Sequence, residues 1–237
     1  MDITGRVEQA ITSLLDNGAR LQGPAVEGHV SRLRRAHPGE SPQQIVDRLE
    51  RTFLLAVTGS GGAVGAAAAV PGIGTAGSIA AVGAETAFFL EASALFTLAV
   101  ASVHGIPVDN HERRRALVLA VALGSAGMEI VEKAVGKTTK NWGALLSGKL
   151  PTQTVRGMNN SLVHTFVTRY AVKRGALMFG KLVPAGIGAV IGSAGNRTIG
   201  KGVIANARDA FGPAPAHWAV TVDAYPQPIP GDYPQGV

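Results

Sequence analysis

Cysteine is absent from the 237 residues, and aromatic residues make up only 5% of them. Without cysteine there is no disulfide framework, no zinc ribbon, no thiolate-held iron–sulfur cluster and no cysteine nucleophile, and the chain is compatible with a reducing compartment. Any metal would have to rest on histidine and carboxylates. Charge is scarce as well, at 16% against 46% hydrophobic residues, most of them Ala, Val and Leu. Such a balance points to helices packed through small side chains, or to a membrane surface. No nucleophile elbow, phosphate loop or zincin helix occurs, so no reaction is legible in the motifs. The opening MDITGRVEQAITSLLDN lacks both the basic start and the unbroken apolar stretch of a secretory signal.

One absence is local. Residues 52–110 contain no Lys or Arg, and Glu85, Glu91 and Asp109 give them a net −3, whereas residues 111–212 carry fifteen basic and four acidic groups, a net +11. The whole-chain value of +6 conceals this layout, since residues 1–51 balance seven against seven. A basic half following an apolar half calls for an anionic partner, nucleic acid or the negative cytoplasmic leaflet. The Ala/Gly-rich neighbour favours lipid. Nucleic acid ranks lower because aromatic interleaving and a groove-reading helix are both missing.

Helical periodicity organises the N-terminal part. Ile3, Val7, Ile11, Leu14 and Leu15 share one face of an amphipathic helix that Gly18 ends. A second helix, roughly 25–36, aligns Val26, Val30 and Leu33 and stops at His37-Pro38-Gly39. The third has the clearest start: Ser41 as cap, Pro42 at the first helical position and Gln44 completing a capping box, followed by the stripe Ile45, Val46, Leu49 and Phe53.

From Thr52 to Ala84 no residue is charged, a length sufficient to cross a bilayer, where about 20 apolar residues suffice. The break at Pro71, Gly72 and Gly74 instead predicts a helical hairpin whose second arm runs from about Thr75 to Val103. Glu85 and Glu91 in that arm disfavour a simple lipid-exposed span, because a charge at the bilayer centre costs roughly 2.5–3.5 kcal/mol. Small residues four apart, Gly61/Gly65/Ala69 and Ala76/Ala80/Ala84, allow close helix approach. After the loop 104–110, capped by Asp109 or Asn110, comes an apolar helix, Ala116 to Val131, preceded by Arg113, Arg114 and Arg115 in a first turn where the helix dipole disfavours cations. Residues 137–160 read as a connector, and helix resumes from Ser161 to Arg174. A second uncharged run then echoes the first: Pro184, Gly186 and Gly188 mark its turn, and Gly188, Gly192, Asn196 and Gly200 form a ladder suited to packing on the earlier hairpin. Residues 213–237 hold six of the thirteen prolines and read as a disordered tail, with a docking peptide for an aromatic groove as the sharper alternative.

Three elements, in this order, resemble the EcsC-like proteins of bacteria. They are the Gly/Ala run into Pro71-Gly72 with Glu85 following, the loop VHGIPVDNHERR, and the closing KLVPAGIGAVIGSAGNRTIGKGVIANAR. In the loop His104 stands where the family pattern has Tyr, and Thr86 follows the acid where Pro is frequent. The resemblance covers roughly residues 45–212. It implies an all-helical, membrane-associated cytoplasmic protein, loosely linked to transport and secretion through a membrane transport protein, with no established catalytic chemistry.

The expectation is therefore an all-α protein: a helical bundle built around two Ala/Gly-rich Pro-Gly hairpins, divided into an N-terminal segment 1–51, a helical domain 52–212 and the tail 213–237. Glu85, Glu91, Lys181 and Arg197 are the buried-charge candidates, with Glu85 pairing to Lys181 or Arg197 across the hairpins. Arg113, Arg114, Arg115, Lys133, Lys137 and Lys140 are the candidates for anionic lipid. His104, Asp109, His111 and Glu112 are metal-capable types whose spacing matches no ligand signature, so no metal or cofactor is assigned and a capping loop is the simpler reading. The functional expectation is non-enzymatic association with anionic lipid at the inner face of the cytoplasmic membrane. A hydrolase using Glu85 or a His/Asp metal centre is the alternative, and a nucleic-acid module comes third.

Overall fold

Every regular element begins or ends on Gly, Pro, Ser or Asn punctuation, and the segments between are helices. The computed structural model describes residues 25–68, 75–107, 110–136, 142–143, 150–178 and 187–218. Among them stand seven helices and no strand, so the protein is all-α. The helices are α1 (25–36), α2 (Pro42–Ala68), α3 (Thr75–Val103), α4 (His111–Leu123), α5 (Ser125–Val135), α6 (Thr152–Met178) and α7 (Ile187–Phe211).

The start of α2 forms as its sequence predicts. Ser41 N–H donates to Gln44 Oε1 at 2.8 Å while Gln44 N–H returns to Ser41 Oγ at 3.4 Å, a reciprocal capping box. Its stripe Ile45, Val46, Leu49 and Phe53 is buried, and Phe53 stacks on Phe96 of α3 with centroids 4.7 Å apart. Val26 and Val30 of α1 enter the same core. The division at 51/52 consequently falls inside α2, and residues 25–51 share one core with helices α3 to α7.

Two helices pack through small residues. A Cβ on Gly61 of α2 would lie 2.6 Å from Gly192 O and from Asn196 Nδ2 of α7, and one on Gly200 of α7 would lie 2.8 Å from Val57 Cγ2 of α2. Glu50 near the start of α2 meets Arg208 near the end of α7, so the pair runs antiparallel. The Gly192–Asn196–Gly200 ladder thus packs on the first hairpin's α2, as its spacing predicts. Turn residues Pro71, Gly72, Gly74, Pro184 and Gly186 lie outside the described residues, while Gly188 belongs to the first turn of α7. The N-terminal helix read over residues 3–17 also lies outside them.

Helix α3 is apolar on nearly every side. Its stretch Ala84–Val103, with mean hydropathy 1.7, is the one helix among the described residues long and apolar enough to cross a membrane, and 61% of that window is buried inside the protein, as the core helix of a globular bundle also is.

Three expectations are corrected. The helix read as Ala116 to Val131 is two: Gly124 at φ 63 ends α4, and the backbone doubles back so tightly that a Cβ on Gly127 would collide with Ala120 O. Continuous apolar residues hid this break. The connector 137–160 is helical from Thr152, because Val155, Met158 and Leu162 continue a buried stripe through Asn159, whose polar side chain masked the period. The tail's first residues are not disordered. After Gly212, at φ 73, residues 213–218 cross the bundle end and Trp218 docks on the α1–α2 corner. Its indole N–H donates to Glu40 O at 3.2 Å and its ring carries the Arg34 guanidinium at 4.3 Å. Residues 219–237 lie outside the described residues.

Candidate functional site

Three places inside this apolar bundle gather hydrogen-bonded polar groups, and Ser93 and Thr97 of α3 are buried as well. In the α2/α7 seam, Glu85 of α3 is buried and accepts from Asn196 Nδ2 at 2.7 Å, and the same amide donates to Val57 O at 3.0 Å. The expected pairing with Arg197 is corrected by one residue: Arg197 is exposed, and its neighbour Asn196 faces inward. One amide thereby serves a carboxylate and a backbone carbonyl at once. Glu91 is exposed rather than buried, as the six-residue offset from Glu85 places it elsewhere on the wheel. Lys181 lies outside the described residues.

At the bundle end, Glu50 is only 7% exposed and receives Arg208 Nε at 2.7 Å and its Nη2 in a bidentate clamp. The hydrogen bond to Glu50 raises the Arg208 pKa, which leaves the guanidinium charged at every working pH. Beside them His104, at the end of α3, places Nδ1 2.8 Å from Val100 O and Nε2 3.4 Å from Gly212 O. These groups line an open pocket of about 430 Å³ together with Val46, Phe96, Val100, Phe211 and Gly212–Ala214. Outside it, Arg48 donates to both Glu40 carboxylate oxygens, and that hydrogen bond holds the Glu40 carboxyl below the usual carboxylate range.

The third place is the first turn of α4. Asn110 caps it by accepting from Arg113 N–H at 3.1 Å, and Asn159, buried in α6, donates to Glu112 Oε2 at 2.7 Å and to Glu112 O at 3.0 Å. Arg113 Nη2 donates to Leu150 O at 2.8 Å, and Arg113, Arg114 and Arg115 are all half-buried. Arg113 therefore braces the Leu150 backbone, while Glu112 and Asn159 join α4 to α6. Lys133 on α5 is exposed; Lys137 and Lys140 lie outside the described residues. His104 lies at the bundle end and Glu112 meets Asn159 of α6, and no three metal-capable side chains gather among the described residues.

One outer surface combines charge with apolarity. Arg197, Lys201 and Arg208 lie four and eleven residues apart along one stripe of α7, and all three are exposed. On α2 Arg51, Leu55 and Gly59 follow one another at four-residue spacing, all exposed, and Leu55 is 71% exposed. Between Arg51 and Gly62 on α2, and from Ile187 to Arg208 on α7, no acid occurs. Sequence reasoning gave the lipid role to Arg113–Arg115, Lys133, Lys137 and Lys140 and to the later Lys and Arg groups in general, without singling out this set. Their shared spacing on α7 was the available signal; that Arg51 and Leu55 flank the same seam emerges only from the antiparallel pairing. Comparison with family models, curated proteins and solved structures finds no match, so the likeness to EcsC-like proteins rests on the three motifs alone.

Proposed function

We propose that the protein is a non-enzymatic membrane-associated protein that binds anionic lipid at the inner face of the cytoplasmic membrane, with the outer face of the α2/α7 pair as its contact surface. The observation carrying this reading is the outer surface on which Arg51, Arg197 and Lys201 accompany the exposed Leu55, with Asp47 one turn before Arg51 and Asp209 near the end of α7 at its edges. Each cation near a negative leaflet contributes about 1 kcal/mol, and one leucine taken out of water adds about 2 kcal/mol. Neither suffices alone. Charge with a shallow apolar insertion supplies the two signals that stable, salt-sensitive peripheral binding requires. Gly59, Gly62 and Ser193 keep the surface low, so headgroups can approach the helix backbones. Lys133 is exposed on α5, Arg113–Arg115 are half-buried, and Arg113 is engaged with Leu150 O.

Vesicle flotation tests the reading. The protein floats with phosphatidylglycerol-rich vesicles at low salt, stays behind with phosphatidylcholine vesicles, and is released at high salt. Arg197→Glu with Lys201→Glu abolishes flotation, and Leu55→Ser weakens it. A protein left in the supernatant with anionic vesicles at low salt refutes it.

A further inference from the structure

At the bundle end two helices finish on the same side chain. His104 follows the last residue of α3, and its Nδ1 lies 2.8 Å from Val100 O, a carbonyl in the closing turn of that helix. Its Nε2 lies 3.4 Å from Gly212 O, next to the end of α7, and its ring tilts against Phe211 with centroids 5.5 Å apart. Both ring nitrogens therefore face carbonyl oxygens, which only accept hydrogen bonds. A neutral imidazole has one N–H to give. The shorter contact assigns it to Nδ1, which leaves the Nε2 lone pair against the Gly212 oxygen. An imidazolium has two N–H groups and donates to both. The ends of α3 and α7 also carry the negative poles of their helix dipoles, where a protonated histidine is favoured. Other charge does not oppose it. Among the residues lining the pocket with His104, α2 brings Glu50 and α7 brings Arg208, clamped to one another, with Asp47 of α2 also acting on Arg208. The segment Gly212–Ala214 brings no charge, and α3 has none after Glu91.

We propose that His104 is a proton-operated latch on the C-terminal crossing: protonated, it ties the end of α3 to Gly212, and neutral, it lets that carbonyl go. The second bond exists only while the ring is charged, so it is present on the acid side of imidazole titration and lost as pH rises through it. With the latch closed, residues 213–218 are held at both ends, by His104 at Gly212 O and by the Trp218 indole at Glu40 O. With it open, only the indole end remains. That end does not change over the same interval, because the Glu40 carboxyl is held below the usual carboxylate range by Arg48 and stays ionised. The latch works without any lipid contact of the α2/α7 face.

Nitrogen-15 NMR of the histidine rings in the full chain tests the chemistry. On the alkaline side His104 is expected to carry its proton on Nδ1, the minority tautomer of histidine in water, and on the acid side to carry both, with the Nε2 proton slow to exchange. Acrylamide quenching tests the consequence. The emission component that Trp218→Ala lacks is expected to be quenched about two- to fivefold less at about pH 5.5 than at about pH 8, and His104→Gln, whose amide does not titrate, removes that difference. His37 and His217 remain in the variant and control for other imidazoles. An Nε2–H tautomer on the alkaline side, equal quenching of Trp218 at the two pH values, or a pH dependence that persists in His104→Gln overturns the proposal. The tautomer is read on the parent chain, so it decides the matter even where His104→Gln does not fold.

Discussion

Glu50 is the residue on which the bundle end depends most. It lies 7% exposed at the meeting of α2 and α7, whereas the Arg208 side chain that clamps it is 63% exposed. The two members of the pair are therefore not equivalent: the carboxylate has lost its water and the guanidinium has not. Removing the arginine leaves an acceptor group buried without its donors, whereas removing both leaves only a smaller apolar gap. Arg208→Met is expected to cost about 1–3 kcal/mol, less than orphaning a fully buried carboxylate because water reaches the vacated guanidinium site. The double variant Glu50→Leu with Arg208→Met recovers at least half of that loss. Denaturant midpoints of the two variants and the parent check the ordering, and a double variant less stable than Arg208→Met contradicts it.

At the scale of elements, the antiparallel α2/α7 pair decides the architecture, and its glycines test how. Gly61 has Gly192 O and Asn196 in the space a methyl group would need, and a backbone carbonyl on a packed helix yields little. Gly59, two residues earlier on the same helix, has nothing within 4 Å. Gly61→Ala is expected to destabilise by about 1–3 kcal/mol through overpacking, while Gly59→Ala stabilises by about 0.5–1 kcal/mol through helix propensity. Equal effects in thermal unfolding would mean the seam is not a close contact. This element was largely legible in advance: the four-residue ladder through Gly192, Asn196 and Gly200 and the capping box at Ser41 are local patterns with few alternative meanings. What stayed hidden depends on facts outside the local pattern. Gly124 reads as one more small residue until its positive φ reverses the chain, and Asn159 interrupts the apolar period of α6 because its partner, Glu112, sits 47 residues away. The inward residue at the seam is Asn196 and not Arg197, a choice set by helix phase, which a sequence fixes only to within one position. The cationic surface was not singled out because two helices distant in sequence build it.

For the molecule as a whole, the chain closes on itself at one end. Residues 213–218 link the end of α7 to the α1–α2 corner, so that Trp218, Arg34, Glu40 and Arg48 form a junction between the C-terminal crossing and the first two helices. Arg48 holds the Glu40 side chain, which fixes the loop whose carbonyl receives the indole. Since the Glu40 carboxyl titrates below its ordinary range, the bond from Arg48 is present above the unfolded carboxylate pKa and is lost as pH falls through the lower folded value. The bond therefore outlasts the pH at which an ordinary carboxylate takes up its proton, and the junction is held down to the lower folded value. The two tryptophans report on the core and the junction separately, because Trp142 is buried in the core while Trp218 is only partly covered at the corner. Trp218→Ala is expected to cost about 1–2 kcal/mol, the sum of a cation–π contact, a hydrogen bond and part of an aromatic burial. On acid titration of the parent protein, the emission component that Trp218→Ala lacks holds until the pH falls below the ordinary carboxylate range, and in Arg48→Met the same component shifts at higher pH. A single transition, with both tryptophans and the helical signal lost together at one pH, would show that the C-terminal crossing is part of the core's own cooperativity and not a separate fastening.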